Sequence, residues 1–510
     1  MAHNGSSSKT RIPLRGYERM MAMADDGCMK LVHVMAVQGR DGALTAFLAH
    51  LPQALVRTFN RHPRMRGMQV RGEFAMAEIQ PKITLKTILE KKLLEVREIR
   101  QQSNDGCNDD VESWEKYVED EWQIPLDRYT QLPYFVRVWH YPTQGLARVM
   151  LFCDHYMSDG ISGMAILNDI VTFASELSRS RPQALTHGKG EEELPLRPPL
   201  YDMWMGAKPL ALFFSKAMVK LFGKMIYVGE VRSFNPVITP RADQADLMVP
   251  IKINSSSALF GQGTPENMKK ALQRCKDEGV TFFGALAAAV VVAYFISCDN
   301  EKRNASSPFK LTLELPINMR NRVSSPVPEV PVGAYMASNG LESFSKDGVE
   351  MCSARFWDLA RKTKRELDEL LESVFLPLPI LFLDKFVNSN LKQEFLKGIR
   401  VPYSLTADIN LSNMGKYAYK TTHAFQTADD QLVDLTIESV HAGNASPHVG
   451  SAATLYVTSI DQLSYVMMHK YDDAQGKRLF QAMVTSIEHI GNVGTQEMMI
   501  EVANAVQQSL

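Results

Sequence analysis

The residue types best suited to chemistry lie in one short polar stretch, DHYMSDG at residues 154–160. An apolar run precedes the stretch at residues 147–152, and apolar residues at helical intervals follow it over residues 162–177. The stretch is therefore expected on a turn between a buried strand and a helix. His155 would project from that rigid support, and an imidazole with an ordinary pKa of about 6.5 is suited to act as a positioned general base.

Asp159 and Gly160 are expected to shape this turn. A glycine permits a tight turn out of the strand, and the carboxylate can accept hydrogen bonds or pair with an arginine. The spacing alone is a weak motif, because histidine, aspartate and glycine also fall into it by chance. The alternative interpretation of His155 is a histidine satisfied by backbone partners at an ordinary turn.

The elements that must hold the turn follow from hydrophobic periodicity. The mixture of strands and helices in both parts of the chain indicates an α/β protein. In the first part the pattern predicts strands at 29–37, 134–139 and 147–152, helices at 44–59 and 162–177, and a charged helical segment at 83–100. In the second part it predicts strands at 248–253, 311–315, 433–440 and 453–459, a uniformly apolar buried helix at 281–296 and a last helix near 474–490.

The length of the chain bears on its division into domains. A chain of 510 residues exceeds what one hydrophobic core usually fills, which favours at least two domains of roughly 200 to 250 residues each. The stretch 181–199, rich in proline, glycine and glutamate, has neither period and is the best linker. We therefore predict a first domain at 1–180, a linker with an amphipathic helix at 181–245, and a second domain at 246–510.

Composition excludes several classes of protein. Apolar residues make up 45% and charged residues 22% of the chain, values typical of ordinary globular proteins. The net charge is -1 and the charges of both signs are mixed along the chain, so no overall positive field exists to hold nucleic acid.

The cysteines and the apolar windows bear on metal sites and on location. The six cysteines are scattered without CxxC pairs, so we expect reduced thiols and no metal site, with Cys153 packing rather than reacting. The first residues lack the apolar core of a signal peptide, and no window of about 20 apolar residues could span a membrane, which favours the cytoplasm.

The polar stretch gains specificity from its surroundings. His155, Asp159 and Gly160 match the HxxxDG signature, and the sequence resembles the superfamily of alcohol acetyltransferases, polyketide-associated acyltransferases, wax ester synthases, the BAHD family and nonribosomal-peptide condensation domains. The likeness spans nearly the whole chain. Further segments are similar to that superfamily in the same order: RHPRMR at 61–66 (HPxLR), IPLDRYTQLPYFVR at 124–137, the small-residue helix at 281–294, LPINMRNR at 315–322 (PxxxR), NLSNMG at 410–415 (SNxG) and the strand pair at 456–472.

The resemblance implies a chloramphenicol acetyltransferase-like fold. Its two α/β domains would each be a mixed sheet flanked by helices, with an active-site tunnel at their interface. The resemblance also implies direct transfer, in which neutral His155 takes the proton of a hydroxyl or amine acceptor as that acceptor attacks an acyl thioester. No acyl-enzyme is required.

The resemblance further implies a role for Asp159. In similar enzymes its counterpart turns away from the substrate and pairs with an arginine, which implies an orienting carboxylate with Arg320 as its partner. Arg322 is the alternative partner. Either arginine could instead lie at a solvated strand end.

An oxyanion donor is implied for the second half of the chain. Asn413, with Ser412 and Gly415 beside it, resembles the segment that faces the histidine, where an amide or hydroxyl would stabilise the developing oxyanion. The alternative is a backbone turn fixed by Asn410, Asn413 and Gly415 without contact to substrate.

Departures from the subfamilies narrow the expected reaction. Condensation domains usually carry a second histidine directly before the catalytic one, but here that position is Asp154, and the DFGWG segment of BAHD enzymes is missing. We therefore expect an O-acyltransferase with acyl-CoA as co-substrate, no tightly bound cofactor, and an alcohol acceptor. The 27 methionines and apolar loops favour a lipid or medium-chain alcohol. Two alternatives stay open: a condensation-type enzyme that uses an acyl carrier protein thioester or an amine acceptor, and a noncatalytic binding protein of the same fold.

Two apolar segments admit several interpretations. Residues 209–227 carry Lys216, Lys220 and Lys224 four apart on one side of an apolar helix. This helix could lie peripherally on a membrane, pack over the acyl tunnel with its lysines in water, or present its lysines to CoA phosphates. The proline-containing segment 373–387 suits core packing, a tunnel wall or a lipid-facing loop.

Overall fold

The computed structural model contains two six-stranded sheets and one three-stranded sheet, with helices packed against the large sheets. This mixed α/β architecture confirms the predicted fold class. The structure describes residues 10–22, 29–40, 42–99, 113–180, 192–207, 209–210, 213–214, 216–222, 225, 234–242, 256–299, 303, 307–323, 331–373, 376, 379–381, 384, 405–445 and 450–510.

The elements alternate along the chain as the sequence pattern indicates. The strands are β1 (Arg11–Pro13), β2 (Lys30–Gly39), β3 (Gly67–Val70), β4 (Glu73–Ile79), β5 (Leu94–Glu98), β6 (Tyr134–Tyr141), β7 (Leu146–Asp154), β8 (Ser257–Gln262), β9 (Leu313–Asn318), β10 (Met336–Gly340), β11 (Leu405–Lys416), β12 (Thr422–Gln426), β13 (Leu432–Asn444), β14 (Gly450–Ser459) and β15 (Leu463–His469). The helices with defined bounds are α1 (Tyr17–Ala22), α2 (Ala43–Arg61), α3 (Leu85–Glu90), α4 (Trp114–Gln123), α5 (Gly160–Arg179), α6 (Leu200–Ala207), α7 (Pro265–Asp277), α8 (Phe282–Ser297), α9 (Phe356–Glu372), α10 (Asp473–His489) and α11 (Met499–Gln508).

The first sheet has the strand order β12-β13-β2-β7-β6-β5. Strand β2 is buried on both faces, because α2 and α5 pack on one side while Val32 and Val34 on the other side share a core with Trp122 of α4 and Val466 of β15. Strand β7 is antiparallel to β2, with Asp154 opposite Lys30. The polar turn therefore begins at the buried end of β7.

The second sheet has the strand order β10-β9-β11-β14-β15-β8. Helix α8 packs between α9 and α10, and every side chain from Gly284 to Ser297 is buried. Contact on all sides explains why this helix is apolar around its whole circumference. Strand β11 is parallel to both β9 and β14, and its end carries the NLSNMG segment.

Two strands cross from the second part of the chain into the first sheet. Strand β13 is antiparallel to β2, from Leu435 opposite Gly39 to Asn444 opposite Leu31, and β12 forms the sheet edge beyond it. The predicted division assigns all of 246–510 to a second domain, whereas the structure places residues 422–444 in the sheet of the first. Periodicity identifies a strand but not the neighbour with which it pairs.

Residues 83–100 differ from the helical prediction. Helix α3 covers only the beginning of this predicted helical segment. The chain then forms β5, which runs parallel to β6 at the sheet edge. Four of the five β5 residues are exposed, so the strand has no buried face and leaves no period of two in the sequence.

Several predicted segments fall outside the described residues. These are the strand at 248–253, most of the proline-rich stretch at 181–199, and most of 373–387. In the last of these, Leu376, Ile380 and Leu381 are described and buried, in keeping with core packing.

The described residues were also searched for membrane spans, metal sites and disulfides. Within them no single helix is long and apolar enough to cross a membrane, although α7 and α8 pass that test as a pair bent by 111°. The same residues contain no cluster of three or more His, Cys, Asp or Glu side chains that could hold a metal ion. The four described cysteines, Cys153, Cys275, Cys298 and Cys352, are free thiols.

Candidate active site

His155 is the first residue after β7 and is held at both its backbone and its ring. Its N–H donates to the carbonyl of Met29 at 3.0 Å, and its Nδ1 lies 2.8 Å from the carbonyl oxygen of Ser158. Because a carbonyl only accepts, Nδ1 carries the ring proton and Nε2 keeps its lone pair. Among the described residues none is hydrogen-bonded to Nε2, so this nitrogen is available to take a proton.

The surroundings of His155 favour the neutral imidazole. Burial lowers the pKa of His155, and this effect outweighs the hydrogen bond to Ser158 and the nearby carboxylates of Asp159 and Asp154, which act in the opposite direction. A base must be unprotonated before it can act. The turn therefore favours the neutral form of its histidine near neutral pH.

Asp159 caps α5 and uses its carboxylate for structure. Its Oδ1 accepts from the N–H and the hydroxyl of Ser162, both at 2.8 Å, and its Oδ2 accepts from the N–H of Tyr335 at 2.9 Å. Arg320 donates one guanidinium nitrogen to each carboxylate oxygen, both at 2.9 Å. Burial alone would raise the pKa of Asp159, but the Arg320 charge and these hydrogen bonds hold the pKa below its ordinary value.

The ion pair expected between Asp159 and Arg320 is therefore present, and it joins the two parts of the chain. The side chains are 5% and 1% exposed, which places the pair out of reach of solvent. Arg320 also donates to the hydroxyl of Ser162 and lies over the ring of Tyr335, 5.0 Å from its centre. Arg322, the alternative partner, is exposed.

Gly160 serves close packing rather than a tight turn. It is the first residue of α5 and does not have the left-handed backbone conformation that favours glycine. A side chain here would place its Cβ 2.8 Å from Cε of Met414 at the end of β11. The second sheet thus lies directly against the start of α5, and the expectation of a glycine-dependent turn is corrected.

The NLSNMG segment adjoins this contact. Asn413 accepts a hydrogen bond from the N–H of Gly415 at 3.1 Å, and Gly415 has a φ of 75°, where the strand pairing is irregular. The backbone turn proposed as the alternative for Asn413 is present. Within the described residues, none accepts a hydrogen bond from Nδ2 of Asn413, while Ser412 beside it is buried.

An ion pair behind the histidine was not predicted from the sequence. Arg128 donates to both carboxylate oxygens of Asp154, with distances of 2.5 and 3.1 Å, and both side chains are buried. The hydroxyl of Tyr134 adds a 2.8 Å hydrogen bond to the carbonyl of Met157. Arg128 lies in the 124–137 segment noted for its resemblance, but nothing in its spacing indicates which carboxylate it meets.

His33 is a second buried histidine that sequence reasoning missed. Its Nε2 donates to the carbonyl of Gly160 at 2.8 Å, and burial lowers its pKa to about 4. The ring occupies the space that a side chain at Gly163 would need. His33 therefore supports the start of α5 as a neutral donor. Cys153 is also buried, and burial raises the pKa of its thiol, in agreement with a packing role.

The RHPRMR segment connects helices of the first half. His62 lies 2.9 Å from Asp169 of α5, and Arg64 forms a buried 2.7 Å ion pair with Glu18 of α1. These contacts tie α1, α2 and α5 together behind the site.

Solved structures share this arrangement of two sheets over almost the whole chain. The TRI3 trichothecene 15-O-acetyltransferase from Fusarium sporotrichioides is 13% identical with a TM-score of 0.71, and the alignment covers 96% of this chain and 97% of that one. The first condensation domain of the calcium-dependent antibiotic synthetase is 12% identical with a TM-score of 0.62, over 97% and 99%. Polyketide synthase associated protein 5 from Mycobacterium tuberculosis is 12% identical with a TM-score of 0.57, over 94% and 99%. At these identities the similarity shows the two-domain fold of acyltransferases and condensation domains.

The family follows from the sequence match. The alcohol acetyltransferase family model matches residues 111–430, which is more than half of the chain and includes His155, Asp159, Arg320 and Asn413. The chain therefore belongs to the alcohol acetyltransferase family, a family of acyltransferases. A search of curated proteins gives no significant match.

Proposed function

We propose that this protein transfers an acyl group from acyl-CoA to an alcohol, with His155 as the general base. The observation that carries the proposal is the hydrogen bond from Nδ1 of His155 to the carbonyl of Ser158. This bond fixes the ring and its tautomer, and it leaves Nε2 as the proton acceptor. Positioned proton transfer of this kind contributes about 10²- to 10⁴-fold to a rate.

The reaction needs no covalent enzyme intermediate. Nε2 of His155 removes the hydroxyl proton as the acceptor oxygen attacks the thioester carbonyl, and a tetrahedral intermediate forms. The intermediate expels the CoA thiolate, and the imidazolium of His155 then donates its Nε2 proton to this thiolate. An ester and free CoA thiol leave, and His155 is again neutral. Throughout, Nδ1 keeps its proton and donates it in the hydrogen bond to the Ser158 carbonyl, which favours the transient imidazolium.

Asp159 acts in this scheme as a positioning residue. The described hydrogen bonds of its carboxylate all go to Ser162, Arg320 and Tyr335, so the side chain organises the turn from the side away from the ring. Arg320 extends the support to the second sheet. The same pair thus sets the turn of the first half against the strand ends of the second.

Asn413 is proposed as the oxyanion donor, with Ser412 and Gly415 supporting it. The hydrogen bond from Gly415 fixes the amide plane of Asn413, and the contact of Met414 with Gly160 sets this strand end against the start of α5, five residues after His155. The replacement Asn413→Asp keeps an oxygen for the N–H of Gly415 but removes the NH₂ donor. We expect it to lower kcat by about 10²- to 10³-fold, as loss of one oxyanion donor does.

Asn413→Ala is the companion variant, because it removes both the acceptor for Gly415 and the donor. If Asn413→Asp keeps the wild-type kcat while Asn413→Ala unfolds at a lower urea concentration, Asn413 serves only the backbone turn. Urea unfolding of both variants, measured beside steady-state kinetics, separates the two roles.

The choice of an alcohol acceptor and a CoA donor rests on the family and on Asp154. The position that holds a second histidine in condensation domains is here Asp154, a buried carboxylate whose two oxygens both accept hydrogen bonds from Arg128. No tightly bound cofactor enters the scheme. Acyl-CoA is a co-substrate, and a carrier-protein donor or an amine acceptor is a distinct outcome of the test below.

The test is thiol release from a panel of acyl-CoAs in the presence of pooled alcohols or pooled amines, with the ester or amide identified by mass spectrometry. We expect acceptor-dependent release with alcohols, and at least about 10²-fold less with His155→Ala at unchanged folding. His50→Ala, on the outer part of α2, is the control and keeps the wild-type rate. Equal rates for wild type and His155→Ala would overturn the role of His155. Amide formation in place of ester formation would overturn the alcohol acceptor. No release from any acyl-CoA, together with release from a carrier-protein thioester assayed in parallel, would overturn the CoA donor.

A further inference from the structure

The 209–225 segment, which follows α6, exposes an unusual amount of apolar surface. Thirteen large apolar side chains are exposed among the described residues, and seven of them lie in this segment with exposures of 37% to 76%. Its described positions at 209–210, 213–214, 216–222 and 225 are helical. A patch of this density marks a site of interaction. The seven side chains are Leu210, Phe213, Phe214, Met218, Leu221, Phe222 and Met225.

The apolar face points away from the protein. At 3.6 residues per turn, Leu210, Phe214 and Leu221 project from one side of a helix and Val219 from the opposite side. Val219 is the buried residue, 5% exposed, and belongs to the main core. An ordinary surface helix buries its apolar side and exposes its polar side. Here the orientation is reversed, so the interpretation of a helix packed by its apolar face over a tunnel does not hold for the described residues.

The charges of the segment all have one sign. Lys216 and Lys220 are exposed and lie one turn apart along an edge of the apolar face, and Lys224 follows them in the sequence at the same four-residue spacing. No aspartate or glutamate occurs between residues 209 and 229. The segment therefore combines a broad apolar face with a purely basic edge.

We infer that this segment docks the protein on an anionic lipid bilayer, lying flat in the interface with its phenylalanines and leucines in the acyl boundary. The described helical positions extend over about 17 residues of the sequence, and an α-helix of that length spans roughly 25 Å, long enough to lie along a membrane surface. Lysines at the edge can keep their stems in the apolar layer and their ammonium groups among anionic headgroups. The inference is independent of the catalytic role proposed for His155.

A second copy of the chain is the less suitable occupant. A symmetric dimer through this face would put the same surface on both sides of the contact, and it would bring the lysine rows together without any acidic residue of the segment to compensate them. The positive charge of the lysines therefore favours an anionic surface over a second copy of the chain as the binding partner.

The experiment is co-sedimentation of the full-length protein with phosphatidylcholine vesicles, with and without phosphatidylserine. We expect binding to the vesicles that contain phosphatidylserine, and weaker binding as salt screens the lysines. The variant Phe213→Ser/Phe214→Ser/Leu221→Ser changes only exposed side chains and should weaken binding at least ~10-fold, because each buried apolar side chain contributes to the partition. Lys216→Gln/Lys220→Gln should lose the preference for phosphatidylserine.

Matched controls use exposed residues of α7. Leu272→Ser tests the loss of an exposed leucine elsewhere, and Lys269→Gln/Lys276→Gln tests the loss of two exposed lysines, and both should bind vesicles like the wild type. Absence of wild-type binding, or equal binding to neutral vesicles, would overturn the inference. A wild-type dimer that the triple variant converts to a monomer, without vesicle binding, would assign the face to a second copy. Acyl transfer to a water-soluble alcohol should be unchanged in all these variants.

Discussion

At the scale of single residues, the environment of His155 sets the pH range expected for the proposed reaction. Burial lowers the pKa of this base below its ordinary value of about 6.5. The active form is unprotonated, so activity is lost only as the pH falls through the lowered pKa. We expect kcat/KM for the acceptor to stay level through about pH 6.5 and to fall with unit slope only below the lowered pKa. Ester formation measured by mass spectrometry between acidic and neutral pH gives the profile, and an acid limb centred above the ordinary value would contradict it.

The Asp159–Arg320 pair predicts a stability effect of definite size. Arg320→Met leaves a buried carboxylate without its cation, and breaking a buried pair in this way costs about 3–5 kcal/mol of unfolding free energy. Folding holds the pKa of Asp159 low, so the stabilisation exists above the unfolded pKa of about 3.9 and is lost as the pH falls through the folded pKa. Urea unfolding should therefore show a large gap between wild type and variant at neutral pH and a narrower gap in acid.

Arg322→Met is the matched control for that experiment. Arg322 is exposed and two residues away, and a surface change of this kind stays within about 0.5 kcal/mol. A comparable loss in both variants would show that strand-end charge, rather than the buried pair, stabilises the fold.

The residues around the turn were predictable to different degrees. His155, Asp159 and their arginine follow from sequence spacing and from resemblance. The N–H of Tyr335 and the hydroxyl of Ser162 are the other donors to the Asp159 carboxylate. They could not be predicted, because they depend on how distant backbone segments meet. Arg128 was missed for the same reason, since its partner Asp154 lies on a different element.

At the scale of elements, α5 depends on a glycine for packing. A Cβ at Gly163 would lie 2.1 Å from Cε1 of His33. In an exposed helix the change from glycine to alanine stabilises by about 1 kcal/mol, but here overpacking should reverse the sign and cost about 1–3 kcal/mol. Thermal and urea unfolding of Gly163→Ala test this. Gly494→Ala, where the nearest atom to the new Cβ is at 3.4 Å, is the control and should change little.

The elements that sequence patterns predicted correctly are those with a buried face. Strand β2 and helix α8 are nearly surrounded by other elements, so almost all their residues are buried and their sequences are mostly apolar. Strand β5 is held at the sheet edge by backbone hydrogen bonds to β6. Its side chains are mostly exposed, so the sequence has no alternation of apolar and polar residues that would indicate a strand. Its charged sequence therefore indicated a helix.

At the scale of the whole molecule, the two large sheets are interlocked by strands that the chain order does not reveal. Periodicity placed strands near 433–440 and 453–459 correctly, but consecutive strands β13 and β14 belong to different sheets. Pairing is decided by contacts between residues hundreds of positions apart, such as Val440 with Met35. The division at 181–245 separates the chain in sequence but not in space.

This interlocking predicts that both halves unfold together. Strand β13 completes the first sheet, and a Cβ at Gly443 would lie 2.9 Å from Val466 of the second sheet and 3.3 Å from Trp122 of α4. Cys153 reports on the first half and Cys275 on the second, because both thiols are buried. Labelling with iodoacetamide at increasing urea concentration, followed by peptide mass spectrometry, should give one midpoint for both. Gly443→Ala should lower the two midpoints equally, because the added methyl group would press β13 of the first sheet against Val466 of the second sheet. Separate midpoints, or a shift of only one cysteine, would mean that the two halves fold as independent units.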